Sequence, residues 1–300
     1  MARAKPKLSP AGQGEGRPLA YPLGLVSAEQ VQAELARQAD PGRVPGLMRF
    51  FKTGPGEYAE GDRFRGLQVP QVRAVVKRAG GLALAEIGLL VESPWHEDRL
   101  AGLLVAVRQF PRATPLGRRE LYDFYLGAAK AGRINNWDLV DVTAEHVVGA
   151  WLRDRAERGR TLDRLARSPL LWERRIAVLA TFHLIRCGEF GDTLRLAALL
   201  RDDAHDLLHK AVGWMLREVG KRDRAALDAF LVTYAASMPR TMLRYAIEKH
   251  SPPEQKLWRA AGKPPLVATF GEHVEAMEGR TKFLSASPGP NRPSSIDSPP

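Results

Sequence analysis

From about residue 28 to residue 261 of this 300-residue chain, apolar positions recur at i, i+3, i+4 and i+7 in nearly every window. That is the spacing of a helix with one buried face. Glycine, proline and aspartate punctuate the pattern and predict fourteen helices, at about 28–39, 42–52, 70–79, 82–92, 95–110, 115–131, 136–151, 158–167, 170–187, 189–201, 204–220, 223–236, 239–250 and 253–261. No segment alternates with the period of two that a half-buried strand requires, so the expected fold class is all-α. One connection stands apart: Lys52 to Val69 carries Gly54, Gly56, Gly61 and Gly66. The pattern is absent at both ends. Residues 1–25 are rich in Pro, Gly and Lys, and residues 285–300 are mostly Ser and Pro, compositions that bury too little apolar surface to order a chain. The expected organisation is a disordered basic tail over 1–25, a folded domain over 26–284 and a disordered Ser/Pro tail over 285–300.

A repeat emerges when cations inside apolar helices are aligned. Arg99-Leu100-Ala101, Arg175-Ile176-Ala177, Lys210-Ala211-Val212 and Arg244-Tyr245-Ala246 each set a basic residue before small or apolar ones in mid-helix. The intervals are 35 from Arg175 to Lys210, 34 from Lys210 to Arg244, and 76, or two steps of 38, from Arg99 to Arg175. One such step past Arg99 lands on Trp137. Helix pairs repeating at roughly 35–45 residues predict a solenoid of HEAT-like units whose corresponding helices line one curved surface.

Charge adds a partner to this picture. Lysine and arginine number 45 against 34 acids, a net +11 with histidine neutral. Residues 1–22 contribute +3 (Arg3, Lys5, Lys7 and Arg17 against Glu15) and residues 285–300 contribute zero, which leaves 11 − 3 = +8 between them. Cations at one repeat phase form a track that can follow a phosphate backbone without reading sequence, which points to duplex DNA and to a curved basic groove. For each arginine the competing role is an ion pair with an acid on a neighbouring helix. The single cysteine, Cys187, forms no intramolecular disulfide, which fits a reducing cytoplasm. No run of about 18 apolar residues is present, and no apolar segment follows the basic N-terminal residues, so neither membrane spanning nor secretion is expected.

Candidate chemistry concentrates at Asn135-Asn136-Trp137-Asp138-Leu139-Val140-Asp141. Asn135 or Asn136 caps a helix predicted to run to about Trp151. Trp137 and Asp141, four positions apart, then share one face. Asp138 points elsewhere and favours the positive end of the helix dipole. Trp214 follows Lys210 by four and Trp172 precedes Arg175 by three, so both indoles lie on cation-bearing faces. Most tryptophans are core residues, but an indole can also face a cation or the C–H edge of a sugar. Indoles beside a carboxylate and a cation suit a positively charged nucleotide lesion. His205 and His209 have a zinc-enzyme spacing, but the glutamate of H-E-x-x-H and a third ligand are missing, so no metal is expected. Cys187 has no histidine placed to activate it as a nucleophile.

The runs Asn136-Trp137-Asp138-Leu139-Val140-Asp141, Leu171-Trp172-Glu173-Arg174-Arg175-Ile176-Ala177 and His209-Lys210-Ala211-Val212-Gly213-Trp214-Met215-Leu216-Arg217-Glu218 resemble the AlkD-type DNA alkylation repair glycosylases, over about residues 30–260. The resemblance implies a superhelix of HEAT-like repeats around duplex DNA containing alkylated bases. It also implies hydrolysis of the N-glycosidic bond of cationic alkylpurines such as 3-methyladenine and 7-methylguanine. It makes Asp141 the catalytic carboxylate, Trp137 and Trp214 the aromatic faces against the lesion deoxyribose, and Arg175, in preference to Arg174, a contact to nearby phosphate. Lys210, Arg244 and Arg99 extend that DNA-binding set. Two departures from the family pattern are the long glycine-rich loop and Phe50, where some members carry tyrosine.

Alkylation at N3 or N7 makes the purine a cationic leaving group, so an ionised Asp141 that stabilises an oxocarbenium-like sugar and positions water suffices, with no cofactor. No lysine is placed beside Asp141 to form a Schiff base, so hydrolysis without strand cleavage is expected, by a monomer. The alternative is a non-catalytic HEAT-repeat scaffold that binds DNA or an acidic protein through the same groove. Asp141 separates the two, because in a scaffold its charge only repels phosphate.

Overall fold

The computed structural model describes residues 24–261. The tails at 1–25 and 285–300 and the domain boundary at 284 fall outside these residues, except for the last two positions of the N-terminal segment. The helices are α1 (Ala28–Arg37), α2 (Val44–Phe51), α3 (Val69–Arg78), α4 (Leu84–Val91), α5 (His96–Gln109), α6 (Pro115–Lys130), α7 (Trp137–Asp141), α8 (Ala150–Leu152), α9 (Arg158–Ala166), α10 (Leu171–Arg186), α11 (Gly191–Leu199), α12 (Asp206–Gly220), α13 (Arg224–Tyr234), α14 (Arg240–Ala246) and α15 (Pro252–Ala260). Among the described residues there is no strand; one isolated bridge joins Arg63 to Trp95. The fold is all-α, and every predicted window contains a helix.

The repeat is physical. Helix α5 packs on α7, α7 on α10, α10 on α12 and α12 on α14, so the helices carrying Arg99, Trp137, Arg175, Lys210 and Arg244 form one layer. On its other side α6 packs on α8, α9 on α10, α11 on α10 and α12, and α13 on α12. The interface is a continuous apolar core: Ile176, Leu179 and Leu184 of α10 and Leu208, Met215 and Val219 of α12 are buried. Burying each such side chain contributes about 1.5–3 kcal/mol. Glycine sets the spacing where helices cross most closely. A Cβ on Gly213 would overlap the Met242 carbonyl of α14, and one on Gly149 the Ala180 carbonyl of α10.

The window 136–151 departs from prediction. Helix α7 stops after Asp141, a turn occupies Val142 and Thr143, and the chain resumes as a π turn over Glu145–Gly149 before α8. The break has a side-chain cause. The Thr143 hydroxyl donates to the Leu139 carbonyl and accepts from the Tyr125 hydroxyl at 2.8 Å, in competition with the backbone ladder. The π turn absorbs the mismatch. Asp141 therefore sits at the end of a one-turn helix, facing α10.

Candidate active site

Asn136 caps α7, its side-chain oxygen accepting from the Trp137 N–H at 2.8 Å. Trp137 and Asp141 share a face across the single turn that follows. The Trp137 indole is half-buried, stacked on Phe51 at 5.4 Å between centroids and edge-on to the exposed Phe50 at 5.7 Å. Phe51 stacks in turn on Phe64, and Phe64 on His96. One turn along, both oxygens of Asp141 accept from Arg175, Nε to Oδ1 and Nη2 to Oδ2, each at 2.8 Å. The remaining Arg175 nitrogen donates to the Leu207 carbonyl at the start of α12. Arg175 is almost fully enclosed, whereas the Asp141 side chain keeps 13% of its surface open. Burial pushes the Asp141 pKa up, Arg175 pulls it back, and the nearby Asp138 charge adds to the rise, for a net upward shift. An ionised carboxylate has about four lone-pair sites, so the arginine fork leaves Asp141 able to accept from a water or face a cation.

Among the residues expected to contact phosphate, this geometry gives Arg175 and Arg99 carboxylate partners. Arg175 is buried and gives three of its five N–H groups to Asp141 and Leu207, so that its fork holds the carboxylate. Arg99 is buried as well: its guanidinium donates to Asp62, to the Ser93 carbonyl at 3.1 Å and to Asn135 at 3.2 Å. A phosphate would have to displace a buried carboxylate to reach either one, at a cost of several kcal/mol. Arg174 pairs with Asp203 at 2.7 Å and caps the carbonyls of Ser168 and Pro169. Lys210 makes only a half-open i,i+4 pair with Asp206 at 2.8 Å. Arg244 is exposed beside Tyr245, on a cavity of about 380 Å³ shared with Arg240, Thr241 and Arg259. Lys210 and Arg244 are thus the members of the predicted track open to solvent. Trp214 is half-buried, its N–H donating to Glu218 at 3.2 Å and its ring edge-on to Phe182; it does not stack on Trp137.

A second correction concerns Asp138, which does more than favour a helix dipole. Its Oδ2 lies 2.8 Å from His96 Nε2, and His96 Nδ1 lies 3.1 Å from Asp62 Oδ2. Burial works against the imidazolium, but the Asp138 and Asp62 carboxylates prevail and hold the His96 pKa up at about 9. Charge therefore alternates through the buried chain Asp138, His96, Asp62, Arg99. The next two residues of α5 fasten the glycine-rich loop. Glu97 accepts from the backbone N–H groups of Arg65, Gly66 and Leu67 at 2.9–3.1 Å, and Asp98 takes the Arg65 fork at 2.8 and 2.9 Å. The sequence signal was the run His96-Glu97-Asp98-Arg99, four charged or polar residues opening an otherwise apolar helix. Its partners, 34 and 42 residues from His96, leave no local mark. The two zinc-spaced histidines have local roles instead: His205 caps α12 through the Leu207 N–H, and His209 bonds the Asp203 carbonyl.

A family profile described as DNA alkylation repair enzyme matches residues 31–250, which takes in α7, α10 and α12 and with them Trp137, Asp141, Arg175 and Trp214. The chain belongs to the DNA alkylation repair enzyme family. Among solved structures it is similar to one titled "Predicted DNA alkylation repair enzyme" from Enterococcus faecalis, with a TM-score of 0.57 and 15% identity, covering 71% of this chain and 97% of that one. At that identity the likeness shows the fold. No curated protein matches the chain. Family membership agrees with the resemblance drawn from the three motif runs. It makes DNA the partner against which the Asp141 site is to be read.

Proposed function

We propose that this protein is a monofunctional DNA glycosylase that hydrolyses the N-glycosidic bond of cationic alkylpurines, 3-methyladenine and 7-methylguanine, in duplex DNA. The observation that carries the reading is a partly open carboxylate, fixed by a buried arginine and standing one helical turn from a half-buried indole. The bond to C1′ breaks with its electron pair leaving on the purine, which becomes neutral. The sugar takes on oxocarbenium character, and the Asp141 charge opposes it at close range. A water that Asp141 orients adds to C1′ and gives up its proton to the carboxylate or to solvent. Trp137 lends its ring face to the developing cation, worth about 0.5–2 kcal/mol. Trp214, two repeats further along the same layer on α12, takes the sugar of the lesion strand in this reading.

Lys210 and Arg244 supply phosphate contacts along the layer, and Arg99 and Arg175 act through the carboxylates they hold. A monomer acting in the cytoplasm, without cofactor, completes the proposal. A scaffold has no use for a fixed carboxylate on a DNA-facing layer, and that difference supplies the test. Asp141→Asn is expected to bind methylated duplex as well as or better than the unaltered protein while excision is lost. Excision by Asp141→Asn at an undiminished rate removes Asp141 from the reaction.

A further inference from the structure

A cavity of about 320 Å³ lies beside the C-terminal half of α10, away from the Asp141–Arg175 pair. That volume is within the range of small-molecule sites. His183, which lines it, is eight residues past Arg175, about 12 Å along the helix. The π turn at Glu145–Gly149 shapes the space. A Cβ on Gly149 would stand 2.8 Å from the His183 Cβ, so glycine lets the turn press against α10 at that point, with His146 and Ala150 beside His183 in the lining. Such π insertions are frequent at functional sites. The apolar part of the lining is Ala150 with Val107 of α5 and the Phe110 and Pro111 that follow it. The polar part is Arg118 of α6, His146, His183, and Arg153 and Asp154 just after α8.

This polar lining carries more positive than negative charge. Arg118 donates to the carbonyls of Phe110 and Pro111 at 3.1 and 2.8 Å, and no carboxylate pairs with it among the described residues. Arg153 pairs with Glu189 at 3.3 Å, but Arg158 shares that carboxylate at 2.7 Å, and Asp154 is 4.0 Å from Arg153 with its side chain almost wholly in solvent. Neither His146 nor His183 has a hydrogen-bond partner among the described residues. Burial, then Arg153, His146 and Arg186, push the His183 pKa down with only Asp154 opposing them, although Arg186 itself pairs with Glu145. Two imidazoles with one outward carboxylate do not suit a cation, and among the described residues no three potential metal ligands gather. An anion fits, because guanidinium and imidazole N–H groups make their strongest hydrogen bonds to phosphate or carboxylate oxygens. We infer that this cavity binds a sugar phosphate, its phosphate held by Arg118, Arg153, His146 and His183 and its sugar set against Val107, Pro111 and Ala150. A free nucleotide and a backbone phosphate of bound duplex share that chemistry. None of these residues belongs to the Asp141 site, so the inference goes beyond the glycosylase reading.

The test follows the imidazole proton signals of His146 and His183, assigned with His146→Gln and His183→Gln, while the protein is titrated at constant ionic strength. Three probes are used: inorganic phosphate, adenosine 5′-monophosphate, and an undamaged duplex without terminal phosphates. The double variant Arg118→Gln/Arg153→Gln is titrated alongside, with a thermal melt of each protein. Adenosine monophosphate is expected to move both signals and to bind more tightly than phosphate, with its Kd weakened by about ten-fold or more in the double variant, the scale of a lost hydrogen bond to a charged group. Signals moved by the duplex alone, with a salt slope of duplex binding reduced by about 0.9 per lost contact in the double variant, uphold the site and make the bound duplex the source of its phosphate. Signals unmoved by all three probes, or moved equally in a normally melting double variant, overturn the inference. No arm depends on excision, so failure here and failure of the glycosylase reading are distinguishable.

Discussion

Arg175→Ala separates the role the structure gives this residue from the phosphate contact first expected of it. The substitution strips the fork that satisfies both oxygens of Asp141, a carboxylate whose side chain is only 13% exposed with Arg175 in place. An uncompensated buried charge costs about 3–5 kcal/mol, but protonation offers an escape that caps the loss. Protonating a carboxylate that titrates near 3.9 when unfolded costs about 4 kcal/mol at pH 7 and about 1.5 kcal/mol at pH 5, at 1.36 kcal/mol per pH unit. The variant is therefore expected to be destabilised most at pH 7, by about 4 kcal/mol beyond the lost Leu207 bond, with up to about 3 kcal/mol recovered at pH 5. Urea unfolding at the two pH values measures this directly. DNA binding gives the complementary readout: log K against log salt should keep its slope in Arg175→Ala, because no phosphate contact is removed. A slope reduced by about 0.9, the signature of one lost phosphate contact, together with a pH-independent stability change, would refute the assignment of Arg175 to Asp141.

Three further outcomes follow from the same geometry. His96 titrates near 9, above its unfolded value, so its stabilisation is full below about pH 6.5 and is lost as pH rises through 9; the total is about 3 kcal/mol. Urea midpoints of the unaltered protein should fall across that window and those of His96→Gln should not; parallel curves would remove the buried imidazolium. For Asp141, the upward shift puts the acid limb of the excision rate above the ordinary 3.8, and Asp138→Asn, which removes a charge that raises it, should move the limb down; a limb moving up contradicts the coupling. Gly213→Ala should destabilise by about 1–3 kcal/mol in denaturant, because the new methyl meets the Met242 carbonyl. The gain of about 1 kcal/mol that alanine brings to an uncrowded helix would show that α12 and α14 are less closely packed.

The helices and their layer were legible in the sequence because both rest on local periodicity. The 3.6-residue recurrence marks each buried face, and the 35-residue spacing of Arg175, Lys210 and Arg244 placed α10, α12 and α14 in one layer. Periodicity could not show that α7 ends at Asp141, since Val142 and Thr143 continue the apolar spacing; the break comes from a Thr143 hydroxyl bound to Leu139 and Tyr125. Trp137 and Asp141 were legible as a pair because four residues make one turn. The partner of Arg175 was not, since Asp141 lies 34 residues away and a basic residue at a repeat phase reads alike whether it meets phosphate or a carboxylate. Asp138 was misread for the same reason, its counter-charge on His96 belonging to another repeat. Loop composition announced the turn glycines, but the loop's anchoring by Glu97 and Asp98 of α5 joins residues 30 to 33 positions apart and leaves no local mark.

Release of free base shows whether Asp141 serves hydrolysis of an alkylpurine glycosidic bond. Duplex DNA methylated by an SN2 agent is incubated with the unaltered protein and with Asp141→Asn, and the released bases are separated by chromatography. The expected result is 3-methyladenine or 7-methylguanine from the unaltered protein alone, with the strands left uncut. No release by either protein, with tight and salt-sensitive duplex binding by both, would contradict the glycosylase reading and leave a DNA-binding repeat protein in its place.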